Sequence, residues 1–176
     1  MNTSKIRDIT DWLRSEYSLG VPVNVEWLSK SLGIEVKRDD LSELSLSGFA
    51  VHKNGKRYIG VHGEEPLARQ RFTIAHELGH LFLHKNESVS YDQGGMMLFR
   101  EEHAGNGGDA KEVEANKFAA ELLMPEAELR EDTSKEGSFD LINRTSATDE
   151  IIARLAEKYE VSEQAMTIRL TTLYFG

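Results

Sequence analysis

The sequence predicts an α+β fold in which a small antiparallel sheet packs against a helical core. Apolar residues recur at helical spacing near the N-terminus and in two longer segments further along the chain. Between these helical segments lie short alternating segments joined by Asn54-Gly55, a dipeptide typical of tight β-hairpins. The chain has 176 residues, which is enough to bury one substantial core.

The N-terminal segment is predicted to form two helices. Residues 4–17 carry apolar side chains three or four positions apart, which is the spacing of one helical face. A glycine and a proline then interrupt this pattern. Asn24 is suited to cap a second, short helix, which we expect to run through Leu32 and end before Gly33.

Three short strands are predicted next along the chain. They cover residues 34–37, 46–52 and 57–61, where apolar and polar residues alternate. Residues 53–56 join the last two strands through Asn-Gly, so these two strands are expected to form an antiparallel hairpin.

A long helix is predicted from Pro66 to about His84, because proline is favoured in the first turn of a helix. Residues 85–110 are rich in glycine and irregular, apart from the apolar run at 96–99. Two interpretations of this run remain open. It is either a surface loop that covers the core, or a strand that borders a cleft and can pair with an extended peptide.

Further helices are predicted in the C-terminal half. One runs from about Asp109 to Met124 and stops at Pro125. The apolar pattern of residues 149–174 then predicts two short helices with a break near Val161.

Composition excludes several classes of function. The formal net charge of −9 argues against a nucleic-acid-binding domain. The absence of cysteine excludes disulfides, thiolate metal sites and a catalytic thiol. No segment has the length of a membrane span or the apolar core of a signal peptide, so a cytoplasmic location is expected.

The motif that carries chemistry is His-Glu-x-x-His at residues 76–80, within the long predicted helix. Side chains four positions apart lie one above the other on a helix, so His76 and His80 can bind one metal ion. Glu77 can then act as general base on a water molecule without itself binding the metal. Zinc is the expected cofactor, although a site of this composition also accepts other divalent ions.

A third metal ligand is expected from the helix that begins near Asp109. Helical spacing places Glu112 and Asn116 on a face with small apolar residues, where another helix can approach closely. Glu114, Lys117 and Glu121 fall on a polar face that is expected to contact solvent. Glu112 is therefore the preferred ligand, with Glu114 as the alternative, and Asn116 could orient a metal-binding histidine.

Several further residues are candidates for supporting roles. His84 lies one further turn along the motif helix, and we expect it near the metal ligands rather than among them. Tyr91 and His103 are candidates to stabilise an oxyanion, which peptide hydrolysis requires. Gly79 separates the two histidines, and a glycine there would allow a neighbouring backbone to approach the helix.

The two motif helices together resemble those of the ImmA/IrrE family of metallo-endopeptidases. The matching strings are RFTIAHELGHLFLH at 71–84 and EVEANKFAAELLMP at 112–125, and weaker similarity extends over most of residues 20–173. The resemblance implies a zinc-dependent fold of the zincin, more specifically gluzincin, type. It also implies that His76, His80 and the matching glutamate bind the metal and that Glu77 is the general base.

The chain is expected to divide into a metallopeptidase core at 1–130, which holds both motif helices, and a C-terminal helical part at 131–176. The C-terminal helices have the outline of a helix-turn-helix. Their second helix contains Arg169 as its single basic residue, which disfavours direct binding to nucleic acid.

The function implied by the resemblance is cleavage of a protein regulator, since members of the family act on helix-turn-helix repressors encoded nearby. Phage, mobile-element and stress-response settings are typical. The first alternative is a regulatory binding module that sequesters a repressor without cleaving it. The second is a toxin–antitoxin or phage accessory protein whose partner is a different molecule.

Overall fold

The computed structural model describes residues 3–53, 55–84, 89–92, 107–136, 141 and 145–176. Within these residues it contains seven α-helices and one four-stranded sheet. The helices are α1 (Thr3–Glu16), α2 (Val25–Ser31), α3 (Leu67–Leu83), α4 (Gly107–Leu123), α5 (Glu126–Lys135), α6 (Ser146–Tyr159) and α7 (Glu163–Phe175). The strands are β1 (Ile34–Asp39), β2 (Gly48–Lys53), β3 (Lys56–His62) and β4 (Val89–Asp92). An α+β fold is therefore confirmed.

The sheet is mixed, so the prediction of a purely antiparallel sheet was wrong. Its strand order is β1-β3-β2-β4, with β1 parallel to β3 and the other two pairs antiparallel. The chain leaves β1, makes a short 3₁₀ turn at Ser42–Leu44 and enters the sheet two positions away. β2 runs opposite to β1. The hairpin then reverses the chain again and places β3 between them, so β3 runs parallel to β1. The expected hairpin between β2 and β3 is confirmed, and Gly55 in its turn has a φ of +73°.

Local sequence signals set the ends of α2. The side chain of Asn24 accepts a hydrogen bond of 2.9 Å from the backbone N–H of Trp27, as expected of a helix cap. After the helix, Gly33 adopts a φ of +70°, a conformation that glycine adopts without the strain of a side chain. Both features confirm the predicted bounds of this helix.

The two long helices α3 and α4 pack directly against each other at Gly79. A β-carbon placed on Gly79 would lie 3.1 Å from the Cα atom and 3.2 Å from the carbonyl oxygen of Ala115. The predicted close approach of a neighbouring backbone at this glycine is therefore confirmed. This contact holds residues 76–80 of α3 beside the first half of α4.

The apolar core extends over the N-terminal, central and C-terminal helices and one face of the sheet. Its largest fully buried side chains include Leu13, Ile59, Leu78, Phe118 and Tyr159.

Residue 130, where we divide the chain on sequence grounds, lies within α5, and the division remains a prediction. In the part of the chain that the structure describes, no helix is both long enough and apolar enough to cross a lipid bilayer.

The prediction that the polar side of α4 contacts solvent was wrong for Glu121. Lys117 is exposed, but Glu121 is buried and accepts a hydrogen bond of 2.7 Å from Arg169 of α7. Arg169 also donates to the carbonyl of Met124 at 2.9 Å. The residue considered as the basic group of a DNA-binding helix is thus held in the interior by this ion pair.

The sequence pattern does not predict helix α5, because Pro125 on its own indicates only the end of the preceding helix. The structure places Pro125 immediately before α5, whose first turn contains two glutamates that suit a helix N-terminus. Further along α5, Asp132 accepts hydrogen bonds from Lys158 (2.6 Å) and Tyr159 (2.8 Å) of α6. Burial alone would raise the pKa of Asp132, but these hydrogen bonds hold it below its usual value.

Part of the predicted irregular segment at 85–110 is regular. β4 forms the edge of the sheet beside β2, and α4 begins at Gly107, slightly before its predicted start. The apolar run at 96–99 and His103 lie outside the described residues. Both interpretations of that run therefore remain open.

Candidate metal centre

Two histidines of α3 form the first half of the candidate site. His76 and His80 lie one helical turn apart, and their Nε2 atoms are 3.0 Å from each other. Both residues are buried, with 2% and 4% of their surface exposed. The motif thus brings two imidazoles together inside the protein, as its four-residue spacing predicts.

Glu112 of α4 completes the cluster. Its Oε2 atom lies 3.1 Å from Nε2 of His76, and its Oε1 atom lies 3.2 Å from Nε2 of His80. Burial would raise the pKa of the Glu112 carboxyl, but hydrogen bonds with the two histidines lower it to about 2. The carboxylate is therefore ionised at neutral pH, as metal binding requires.

The three side chains can supply the ligand atoms of a tetrahedral metal site. The two Nε2 atoms are 3.0 Å apart, and each lies 3.1–3.2 Å from a different oxygen of the Glu112 carboxylate. With metal–ligand bonds of about 2.0–2.1 Å, the corners of a tetrahedron are roughly 3.3 Å apart. Two imidazole nitrogens and one carboxylate are a donor set that zinc prefers, and a tetrahedron leaves a fourth position open. These three residues could therefore hold a metal ion after only small movements.

Glu114 does not join this cluster. Its Oε2 atom lies 3.8 Å from Nε2 of His84, on a different side of α4. Residues two positions apart differ by roughly 200° around a helix axis, so Glu112 and Glu114 cannot face the same point. The geometry thus brings Glu112, and not the alternative Glu114, to the two histidines.

Asn116 contacts His76 from one turn further along α4. Its Oδ1 atom is 2.9 Å from Nδ1 of His76, and both residues are buried. When Nδ1 donates to this amide oxygen, the lone pair of His76 lies on Nε2, which faces the cluster. For His80, by contrast, none of the described residues hydrogen-bonds to the buried Nδ1 atom.

Glu77 lies in the interior next to the first histidine. It is fully buried, with 0% of its surface exposed. Glutamate is seldom buried in this way unless it has a partner or a function. It lies on α3 one residue beyond His76, and it is at least as deeply buried as the two histidines.

The remaining candidates are placed differently. His84 follows the last residue of α3, and its Nε2 atom is 3.3 Å from the carbonyl oxygen of Lys111, outside the cluster. Sequence reasoning missed this carbonyl, because a backbone group leaves no residue-type signal. Tyr91 is in β4, paired with Phe49, and only its backbone is described. His103 lies outside the described residues, so neither oxyanion candidate is tested.

The fold and the cluster define a class of protein: an α+β protein whose His-Glu-x-x-His helix packs against a second helix that supplies a carboxylate. Three potential metal ligands meet between the two helices. Residues 29–171 match the peptidase M78 family, which is described as the IrrE N-terminal-like domain. The chain belongs to this family, the ImmA/IrrE metallopeptidases, which confirms the resemblance found in the motifs.

Two relatives illustrate the similarity. "Uncharacterized immunity region protein 2" of Bacillus phage phi105 is 30% identical over 118 residues, covering 67% of this chain and 68% of the phage protein. "Metallopeptidase ImmA" of Bacillus subtilis (strain 168) is 31% identical over 98 residues, covering 56% of this chain. That match spans 52% of the length of the Bacillus subtilis protein.

Proposed function

We propose that this protein is a zinc-dependent endopeptidase that cleaves a helix-turn-helix transcriptional repressor in the cytoplasm. The observation that carries the proposal is that His76, His80 and Glu112 each offer a ligand atom within 4.8 Å of the other two, so that the three residues could hold one metal ion. Membership of a metallopeptidase family supports the same chemistry.

In the proposed mechanism, His76, His80 and Glu112 hold the metal. A bound zinc ion supplies Lewis acidity, which makes water a stronger nucleophile and polarises a peptide carbonyl. Glu77 accepts a proton from the attacking water and returns it to the amine that leaves. Its burial supports this role, because a carboxylate in a site with little water is a stronger base.

Neighbouring residues are proposed to position this machinery. Asn116 fixes the ring of His76 through Nδ1, so that Nε2 points to the metal. His84 ties the end of α3 to α4 through the carbonyl of Lys111, one residue before Glu112. Tyr91 or His103 is proposed to stabilise the oxyanion.

The names of the relatives support the choice of substrate class. One relative is called a metallopeptidase, and the other is named for a phage immunity region. A phage immunity region agrees with the repressor substrate that the family resemblance implies. A neighbouring helix-turn-helix protein is therefore the substrate to test first.

The direct test incubates the purified protein with the helix-turn-helix protein encoded beside its gene and follows fragments by mass spectrometry. We expect the zinc-loaded wild type to produce fragments, and Glu77→Gln to retain zinc but produce none. Glu64→Gln, which changes an exposed glutamate before α3, is the matched control and should cleave normally. Binding of the repressor without fragments from the wild type would instead indicate sequestration, and would overturn the proposal.

A further inference from the structure

A groove separate from the metal cluster lies between α2 and the edge strand β1. Its volume is about 650 Å³, and its lining includes Glu26, Trp27, Lys30, Ile34, Val36 and Arg38. β1 and β4 lie at opposite edges of the sheet, about 14 Å apart for strands spaced by roughly 4.8 Å. The groove shares no residue with the cluster of His76, His80 and Glu112.

One side of the groove is a free strand edge. β1 has six residues and pairs with β3 on one side, while no described strand pairs with its other side. The outward N–H and C=O groups of such an edge are a template for one more strand. A helix beside an edge strand also forms a channel in which an extended peptide can lie.

Trp27 gives the groove an apolar surface. It is one of only two tryptophans in the chain, and 48% of its surface is exposed. The ring of Tyr17 contacts it edge-on, with the ring centres 6.2 Å apart and the planes at 78°. This contact holds the indole in place, so that it can bind a side chain at a small cost in entropy.

The ion pairs in the groove favour an acidic group in its occupant, because both carboxylates of the lining already have a partner. Glu26 pairs with Arg38, and Glu35 pairs with Lys37 at 3.4 Å. Arg38 is already engaged, because it donates to Glu26 and, at 2.8 Å, to Oε1 of Gln70. Lys30 is exposed on α2, and its ammonium group has no ion pair or hydrogen bond with any residue that the structure describes. A carboxylate placed opposite Lys30 would therefore complement the groove.

We propose that this groove binds an extended peptide segment of a partner protein, which adds to β1 as a fifth strand. An apolar side chain of the peptide lies on Trp27, and an acidic side chain faces Lys30. The proposal does not depend on peptidase activity, because it rests on the edge of β1, on α2 and on the contact of Tyr17 with Trp27.

The test uses a displayed library of random peptides about eight residues long, which at roughly 3.3 Å per residue is slightly longer than β1. Selection on the Glu77→Gln protein avoids cleavage of the peptides. We expect the enriched peptides to share an apolar and an acidic residue. A library that shows no enrichment over one selected on Trp27→Ala would overturn the proposal.

Affinities of the enriched peptides locate the binding surface. We expect Trp27→Ala and Lys30→Glu each to weaken binding by about 10-fold or more, as for anchor residues in other interfaces. Trp12→Ala is the matched control, because Trp12 is equally exposed (51%) and lies beyond Tyr17, outside the groove. An equal loss of binding in Trp12→Ala would contradict the groove as the site.

Hydrogen exchange tests the pairing itself. Peptide addition should protect outward amides of residues 34–39, while amides of β4 should keep their exchange rates. Binding without new protection in β1 would show that the peptide does not add to the sheet, and would overturn the proposal.

Discussion

Replacing Arg169 with methionine should lower the free energy of unfolding by about 3 kcal/mol, because it leaves a buried carboxylate without its main partner. The side chains of Arg169 and Glu121 are only 9% and 4% exposed, and their charged atoms lie 2.7 Å apart. Breaking a buried pair costs roughly 3–5 kcal/mol. We expect the lower end, because Glu121 keeps the backbone N–H of Glu126 at 3.2 Å and the guanidinium of Arg7 at 3.6 Å.

The assay is urea and thermal unfolding of the wild type and Arg169→Met at pH 7. A loss of about 3 kcal/mol corresponds to a fall of roughly 6–12 °C in Tm for a chain of this length. Arg130→Met is the control, because Arg130 makes all its contacts at the surface: the ion pair with Glu126, a hydrogen bond to the carbonyl of Leu173 and a contact with the Tyr174 ring. Exposed interactions of this kind contribute little, so the loss should cost about 1 kcal/mol. If Arg169→Met cost no more than Arg130→Met, the argument that burial makes this ion pair important would be refuted.

Three further changes test other parts of the structure. Gly79→Ala should lower the free energy of unfolding by about 1–3 kcal/mol, since the new β-carbon would lie 3.1 Å from Cα of Ala115; a more stable variant would contradict the close packing. Asn116→Ala should weaken zinc affinity, measured by chelator competition, about 10- to 100-fold, because His76 loses its hydrogen bond; unchanged affinity would exclude this role. Asp132→Asn should lower the free energy of unfolding at pH 7, and by less as the pH falls. The folded-state pKa of Asp132 is below its usual 3.8, so protonation at acidic pH removes the stability that the ionised carboxylate gives the wild type. A difference in unfolding free energy that stays constant down to acidic pH would contradict that sign.

The cluster of His76, His80 and Glu112 could be anticipated from sequence because its geometry depends mainly on helical periodicity. Four-residue spacing places His76 and His80 together on any regular helix, and the face analysis of the next helix separates Glu112 from Glu114. Gly79 was also informative, because a glycine between two bulky residues of a helix has few uses other than close packing. These signals are local, so they can be interpreted without knowledge of the remaining fold.

The errors concern contacts between distant parts of the chain. The hairpin signal at Asn54-Gly55 determines how β2 meets β3, but it contains nothing about the side on which β1 joins, so the mixed sheet was missed. Glu121 has the residue type of a solvent-exposed position. Its partner Arg169 is 48 positions away in the sequence. The periodicity of α4 contains no signal that α7 will cover Glu121 and supply a cation to it.

The most direct test of the proposed metal site is the zinc content of two variants, measured by elemental analysis after purification and dialysis against a weak chelator. Glu112 and Glu114 lie on one helix, two residues apart, and carry the same chemical group. We expect the wild type and Glu114→Gln to retain about one zinc ion per chain, because the protein has one three-ligand site. Glu112→Gln should lose this zinc ion. Full zinc in Glu112→Gln, or its loss from Glu114→Gln alone, would contradict the assignment of His76, His80 and Glu112 as the metal ligands.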